Sequence, residues 1–276
     1  MRKSLYLPSA LFPLLLLAFV VSACSSNPPV TAAPGEADQL LLDRGKEALQ
    51  GRSWTRARTY FSELLESYPQ SPLRAEAKLG VGDSFLGENS SASYVYAQSE
   101  YREFLAFYPT NPRADYAQMQ LGMVHFNQML SPQRDQTETR EAIKEFQVFV
   151  ERYPNSKLIT QVKERLREAK DRLSASEVEV GNLYHRIRAY SAAEERYRYV
   201  LKNDPEYTRR DSVYFYLAET LEKWGIPDKK KEALPYYERL VQEFEQSEHL
   251  EEARRRIDRL KLELNLDLKP AATAER

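Results

Sequence analysis

The chain has 276 residues, and its 40 Lys and Arg residues nearly balance its 41 Asp and Glu residues. A formal net charge of -1 does not indicate binding to nucleic acid or to an anionic surface through charge alone. The single cysteine, Cys24, excludes an internal disulfide, so the fold must rest on apolar packing.

The N-terminus, residues 1–23, is typical of a secretory signal peptide. Two basic residues precede an apolar run over 5–21, which Pro8 and Pro13 interrupt and which is at the short end for crossing ~30 Å of hydrocarbon. Small residues then precede Cys24, an arrangement that resembles the bacterial lipobox. We therefore expect Cys24 to carry a diacylglycerol and an N-acyl chain; the alternative is an ordinary signal peptide followed by a free thiol.

Residues 24–38 are rich in Ser, Asn, Pro, Ala and Gly, a composition that predicts a flexible lipidated tether. Each buried acyl methylene contributes about 0.8 kcal/mol, so three chains would anchor the protein almost irreversibly. Ser25 after the cysteine resembles the outer-membrane sorting signal of Gram-negative lipoproteins. The expected location is the periplasmic face of the outer membrane, with the lipid as the anchor.

A pattern that recurs five times predicts the fold class. In each copy an Ala is followed four residues later by a large ring and eight residues later by Leu or Val, and four copies reach a Pro at the twelfth residue. These steps place the side chains on one stripe of a helix, which the Pro ends because it lacks an amide N–H. The copies are Ala57/Phe61/Leu65/Pro69, Ala97/Tyr101/Leu105/Pro109, Ala142/Phe146/Val150/Pro154, Ala193/Tyr197/Leu201/Pro205 and Ala233/Tyr237/Val241, with Glu245 in place of the last Pro.

A small residue upstream of each copy marks the first helix of a hairpin, because small residues let paired helices approach closely. The interval of twelve from Gly181 to Ala193 matches the tetratricopeptide (TPR) repeat, whose unit is about 34 residues. The pattern predicts an all-α, right-handed superhelix of five TPR hairpins rather than unrelated amphipathic helices. The small residues are Gly45, Gly82, Gly122, Gly181 and Ala218.

The absence of Gly and Pro between residues 157 and 180 predicts one long helix that joins repeats three and four. It divides the array into repeats one to three, at 39–156, and a second block at 157–247 with the long helix and repeats four and five. An apolar stripe predicts a capping helix at 248–266, and residues 267–276 are expected to form a disordered tail.

No set of catalytic residues stands out in the sequence. The three histidines, His125, His185 and His249, lie in different predicted helices without a neighbouring Cys, His or acidic ligand at metal-binding spacing, so neither a metal nor a cofactor is expected. Glutamates follow exposed helix faces, and no phosphate-binding glycine loop or nucleophile elbow occurs. The expectation is a binding protein and not an enzyme; a cell-wall hydrolase would need a pair of placed acids.

A TPR superhelix binds peptides on the concave surface that its first helices line. In repeat three the corresponding positions form an apolar, soft surface, and these candidates for a client-peptide groove are Tyr116, Met119, Met123, Phe126 and Asn127. The alternative is that they belong to the core, because this helix is apolar on most sides. Repeat four gives the more polar set Ala175, Val178, Asn182, His185 and Arg186.

The lipobox, the repeats and the long helix together resemble the BamD (ComL-type) family of TPR lipoproteins, which belong to the outer-membrane β-barrel assembly machinery. The resemblance covers nearly the whole mature chain, including an insertion in repeat three that a generic TPR protein would not share. The most specific segments are Asp115-Tyr116-Ala117, Arg134-Asp135-Gln136-Thr137, Thr139-Arg140-Glu141-Ala142, Arg152-Tyr153-Pro154-Asn155-Ser156, Asp171-Arg172-Leu173, Arg188-Ala189-Tyr190-Ser191-Ala192-Ala193 and Arg196-Tyr197.

The resemblance implies a scaffold that docks its C-terminal repeats on the periplasmic domain of the barrel-forming subunit BamA. Its N-terminal repeats would receive unfolded outer-membrane barrel proteins, and other Bam lipoproteins are further possible partners. By their matching motif, Arg188 and Arg196 become the candidates for the BamA contact. The competing expectation is a TPR lipoprotein that scaffolds pilus assembly or cell-wall (Tol-Pal) coordination.

Overall fold

The computed structural model describes residues 36–264. The predicted signal peptide, Cys24, the predicted tether up to residue 35 and the predicted tail at 267–276 lie outside the described residues. Within 36–264 every regular element is an α-helix. The helices are α1 (Ala37–Gln50), α2 (Trp54–Ser67), α3 (Arg74–Glu88), α4 (Ser91–Phe107), α5 (Ala114–Phe126), α6 (Thr137–Arg152), α7 (Ile159–Arg186), α8 (Tyr190–Asn203), α9 (Arg210–Trp224), α10 (Pro227–Glu243) and α11 (Leu250–Glu263).

The described helices form five consecutive hairpins and a final single helix. Each odd-numbered helix from α1 to α9 packs against the helix that follows it, and each even-numbered helix packs against the first helix of the next hairpin, up to α11. This arrangement confirms the predicted all-α TPR array with a capping helix. The first helix begins at Ala37, two residues before the predicted boundary, and both Ala37 and Asp38 are already buried.

Contact between a glycine and a ring holds the two helices of a hairpin close together. A methyl group added at Gly45 of α1 would lie 2.4 Å from the ring of Phe61, and one added at Gly80 of α3 would also lie 2.4 Å from that ring. The Phe61 ring therefore fills the space between its own hairpin and the next one. The predicted small and ring positions pair in the same way at Gly82/Tyr101, Gly122/Phe146 and Gly181/Tyr197.

A serine and an aspartate close the junction after three of the hairpins. Ser71 Oγ, two residues after Pro69, donates to Asp38 Oδ2 at 2.6 Å and accepts the Leu73 N–H at 3.1 Å. The bond joins the start of a first helix to the turn that leads into the next hairpin. The same bond recurs at 2.6 Å in Ser156/Asp115 and Ser247/Asp211.

Helix α7 is continuous over 28 residues, which is about 42 Å at 1.5 Å per residue. It contacts α6 on one side and α8 and α9 on the other, so it joins repeats three and four. Asp204, at the end of α8, accepts bonds from Arg167 Nη1 at 2.9 Å and from Ser174 Oγ at 2.5 Å. Although burial works to raise it, these two donors leave the pKa of Asp204 below its ordinary value. The long helix is thereby fastened to repeat four.

The insertion of repeat three, between α5 and α6, folds around one buried side chain. Gln136 is 4% exposed, and its amide donates to the carbonyl oxygens of Ser131 at 2.8 Å and Arg134 at 3.0 Å. Its Oε1 accepts the Thr139 hydroxyl at 2.8 Å. These bonds give the insertion a defined shape.

The core is divided differently in the two blocks of the array. Repeats four and five and the capping helix share one cluster of buried residues that runs from Val178 to Leu260. Repeats one to three have separate clusters, each centred on one hairpin and its neighbour. The C-terminal block is therefore packed as one unit.

We expect the substitution Gly122→Ala to lower the free energy of unfolding by about 1–2 kcal/mol. The new methyl group would lie 2.4 Å from the ring of Phe146, and this overpacking outweighs the gain of about 1 kcal/mol that Ala brings to a helix interior. The matched control is Gly51→Ala, where the nearest atom would lie 3.4 Å away. Chemical denaturation measures both variants, and a Gly122→Ala chain as stable as the parent would contradict the packing described here.

Candidate protein-binding groove

The first helices of the hairpins lie next to one another along the array. Helix α1 contacts α3, α5 contacts α7, and α7 contacts α9. We call the surface of α1, α3, α5, α7 and α9 that faces away from the second helices the groove. Side chains from different repeats meet there, and the residues predicted from sequence to contact a peptide lie on these helices.

The five candidates of repeat three occupy different environments. Met119 is 6% exposed and packs in the cluster of Phe146, Phe149 and Val162, so it belongs to the core. Tyr116, Met123 and Phe126 are half-buried at the edge of that cluster, and Asn127 is exposed just after α5. Met119 therefore fits the interpretation as core, whereas the other four residues keep exposed surface that fits the interpretation as groove.

A pocket of about 460 Å³ opens beside Phe126, where repeats three and four meet. Its apolar lining includes Phe126, Met129 and Ala175 of α7. Charged residues of both signs also line it, namely Glu168, Asp171, Arg172 and Arg209. A site that combines apolar and charged side chains can hold a side chain of a peptide and orient the adjoining backbone.

A half-buried carboxylate holds the groove residue Tyr116 in place. Asp83 Oδ1 accepts the hydroxyl of Tyr101 at 2.7 Å and that of Tyr116 at 3.0 Å. The Gln120 amide donates to the Tyr116 hydroxyl at 3.0 Å, and the Arg113 guanidinium lies 4.4 Å from the centre of the Tyr116 ring. Burial raises the pKa of Asp83 in spite of these donors. The cluster links repeats two and three at the groove surface.

The groove is more polar in repeats four and five. Asn182 Oδ1 accepts the hydroxyl of Tyr197 at 2.7 Å, and His185 Nδ1 lies 2.7 Å from Thr220 Oγ1. Burial lowers the pKa of His185. Of the other predicted positions, Val178 is buried, Ala175 is half-buried and Arg186 is exposed. This part of the groove is occupied by internal hydrogen bonds.

The two predicted docking arginines lie in the fourth hairpin. Arg188 is exposed in the turn between α7 and α8 and has a left-handed backbone with φ of 61°. Arg196 lies on α8, and its Nη1 is 2.9 Å from Glu177 Oε2 of α7, while 41% of its side chain stays exposed. A pocket of about 180 Å³ adjoins this pair, lined by Glu177 and by apolar residues that include Ile143, Leu173, Tyr199 and Val200.

His125 lies in a cluster of carboxylates that the sequence analysis did not expect. It is 6% exposed, its Nδ1 lies 2.7 Å from Glu138 Oε2, and its Nε2 lies 2.8 Å from Gln98 Nε2. One possible ligand atom from each of His125, Glu141 and Glu145 lies within 4.8 Å of the other two. The expectation that His125 lacks an acidic neighbour is therefore wrong, because packing of α6 against α5 brings the glutamates to it.

Both missed groups left a signal in the sequence. Asp83 lies one residue after the small residue Gly82, which is the place that the groove candidates Met123 and Asn182 occupy in repeats three and four. Glu138, Glu141 and Glu145 are spaced by three and four residues, so they share one stripe of a helix. Their approach to His125 depends on the length of the preceding insertion, which no local pattern reveals.

Comparison with known proteins identifies relatives along most of the chain. A family model described as YfiO, outer membrane lipoprotein, matches residues 35–235. The outer membrane protein assembly factor BamD of Caulobacter vibrioides is 25% identical over 81% of this chain and 73% of the relative. The factor of the same name from Xylella fastidiosa is 24% identical over 74% of this chain and 73% of the relative.

A solved structure, the TPR2AB-domain:pHSP90-complex of yeast Sti1, aligns with a TM-score of 0.47 at 12% identity, over 84% of this chain and 86% of that chain. This similarity is too low to add to the fold described above. None of the helices within residues 36–264 is both long enough and apolar enough to span a membrane.

We expect Asp83→Asn to change stability in a pH-dependent way. Because burial raises the pKa of Asp83 above 3.8, the folded chain binds this proton more tightly than the unfolded chain. Its contribution to the free energy of unfolding therefore falls as the pH rises from 3.8 through the folded pKa. The Asn variant lacks that decline, so it should gain stability relative to the parent between about pH 4 and pH 7.

Chemical denaturation gives the free energy of unfolding of the parent and of the Asn variant at about pH 4 and about pH 7. The difference between the two chains is then compared at the two pH values, because the other titrating groups are common to both chains and cancel. A variant that differs from the parent by the same amount at both pH values would contradict the raised pKa.

Proposed function

Because the chain belongs to the YfiO family of outer membrane lipoproteins, we propose that it is a non-enzymatic scaffold of the outer-membrane β-barrel assembly machinery. The relatives named BamD carry the description of outer membrane protein assembly factor. In this proposal the lipid on Cys24 holds the chain at the periplasmic face of the outer membrane. Repeats one to three receive unfolded barrel proteins, and repeats four and five dock on the periplasmic domain of BamA.

The observation that carries the proposal is the pocket of about 460 Å³ in the groove between repeats three and four. We assign client binding to its half-buried residues Phe126 and Met129 and to the neighbouring Met123. Met side chains are unbranched and adapt to different partners, as a receiver of many barrel proteins requires. Met119 is excluded from direct contact by its burial, whereas Tyr116 and Asn127 supply polar contacts at the edges.

Docking on BamA is assigned to the exposed side of the fourth hairpin. The Arg196 side chain is 41% exposed beside Glu177, so a carboxylate of the partner can share the guanidinium. The adjoining pocket of about 180 Å³ can take an apolar side chain, next to Tyr199, which is 51% exposed. Arginine and tyrosine are the residues that most often dominate interface energetics. Arg188 adds a second positive charge in the turn, next to Ile187, which is 63% exposed.

We expect Arg196→Glu to reduce co-purification with BamA by about tenfold or more, because the contact loses its positive charge and gains a repulsive one. Full-length chain would be solubilised from envelopes in detergent and the BamA recovered with it quantified. The matched control is Arg102→Glu, a charge reversal at an exposed residue of α4 in the other block.

The variant also breaks the internal pair with Glu177, so a double variant separates docking from folding. Arg196→Glu combined with Glu177→Arg restores the pair between α7 and α8 with the charges exchanged. Docking through Arg196 predicts that recovery of BamA stays low in the double variant. Full recovery would mean that Arg196 acts only within the fold, and pilus or cell-wall proteins in place of BamA would overturn the proposed function.

We expect Met123→Ser and Phe126→Ser each to lower crosslinking to an unfolded barrel protein by about tenfold, since each removes apolar contact worth about 1–2 kcal/mol. A photo-crosslinking side chain at Asn127 reports occupancy of the groove, because Asn127 is exposed next to both residues. Val95→Ser is the control, as Val95 is 66% exposed on α4, a second helix outside the groove. Crosslinking equal to that of the control would return Met123 and Phe126 to a purely structural role.

A further inference from the structure

We propose that repeat three holds a divalent transition-metal ion, with Zn²⁺ as the best match, between His125, Glu141 and Glu145. A ring nitrogen and one carboxylate oxygen from each glutamate already lie within 4.8 Å of one another. Ligands of tetrahedral zinc lie about 2.0–2.2 Å from the ion, hence roughly 3.3 Å apart. Rotating the two glutamate side chains so that their oxygens move by about 1 Å would bring the three ligand atoms to the spacing that zinc requires.

The carboxylates at the site have few positive partners, which favours binding of a cation. Glu145 is 9% exposed, and its Oε2 accepts a bond at 2.8 Å from the neutral amide of Gln118. Among the described residues, no Lys or Arg nitrogen lies within 4.0 Å of the Glu145 carboxylate, whereas Glu141 has only Lys144 at 3.3 Å, whose side chain is 65% exposed. Burying a carboxylate without a positive partner is costly, and a divalent ion supplies that partner.

The ring of His125 is held in place by polar partners at both of its nitrogens. Glu138 Oε2 lies 2.7 Å from His125 Nδ1, and the Gln98 amide lies 2.8 Å from its Nε2. A bound ion would displace the partner of one ring nitrogen, and the other nitrogen would keep the partner that fixes the tautomer and the ring plane, as is usual for metal-bound histidine. Gln118 does the same for Glu145 by holding one of its oxygens.

The donor set selects the kind of metal. One imidazole and two carboxylates suit zinc and its transition-metal neighbours, whereas Mg²⁺ and Ca²⁺ prefer oxygen ligands alone. His185 offers a contrast within the same chain. It faces Glu219 at 3.6 Å, but Lys223 Nζ lies 3.3 Å from its Nε2 and occupies the place that a cation would take.

The site would clamp α5 to α6 next to the proposed client pocket. His125 directly precedes Phe126 at the end of α5, and Gln98 brings in α4 of the preceding repeat. A bound ion would therefore fix the end of the helix that presents Phe126 and Asn127. The metal site stands on its own contacts and does not depend on the proposed function.

The test is Zn²⁺ binding by the full-length chain in detergent, purified without a polyhistidine tag and stripped with a chelator. Calorimetric titration should show one Zn²⁺ per chain with a dissociation constant below about 10 µM, and a melting temperature that rises with Zn²⁺. Millimolar Mg²⁺ should not compete. His125→Gln and Glu141→Gln should each weaken binding by about tenfold or more, while His185→Gln should leave it unchanged.

Circular dichroism establishes that each variant is folded. The Glu141 side chain is 38% exposed, so Glu141→Gln carries the test alone if His125→Gln does not fold. No binding below about 10 µM in the parent chain would overturn the proposal, as would equal loss of affinity in the His125→Gln and His185→Gln variants.

Discussion

The structure depends on close approach of two helices at a residue without a bulky side chain. In four of the five hairpins the ring of the second helix lies where a Cβ of the first helix would stand, as at Gly122 and Phe146, and the fifth has the small residue Ala218 at this position. Phe61 shows that one ring can serve two hairpins, because it touches Gly45 of its own and Gly80 of the next. Each hairpin is thus packed by its neighbours, and stability adds along the array without any disulfide.

This packing also determines which side chains face the groove. The rings are buried on the side of the second helices, so the first helices present their remaining side chains to the groove. The internal hydrogen bonds of Asn182 and His185 use up much of that surface in repeat four. The half-buried Met123 and Phe126 are left with free apolar surface in repeat three. The single continuous core of the C-terminal block favours a rigid surface. The divided core of repeats one to three leaves each hairpin less tightly coupled to its neighbours.

The hairpins, the long helix and the pairing of small residues with rings could be predicted from sequence, because each follows from spacing within one helix or its partner. The environment of single groove residues could not. Met119 and Phe126 lie on one apolar helix, and only the positions of α6 and α7 decide that the first is core and the second reaches the pocket. The approach of Glu145 to His125 likewise depends on an insertion folded around Gln136, whose shape no periodicity encodes.

Helix α7 lies beneath both proposed binding sites. Arg172 and Ala175 line the pocket of the groove, and Leu173 and Glu177 line the pocket beside Arg196 on α8. These residues fall within two turns, so the two pockets are separated by only the width of one helix, about 10 Å. A tilt of about 5° in a rod of about 42 Å displaces one end by roughly 4 Å. If both proposed contacts form, they share this helix as their support, and a tilt of the helix at one contact would displace the other.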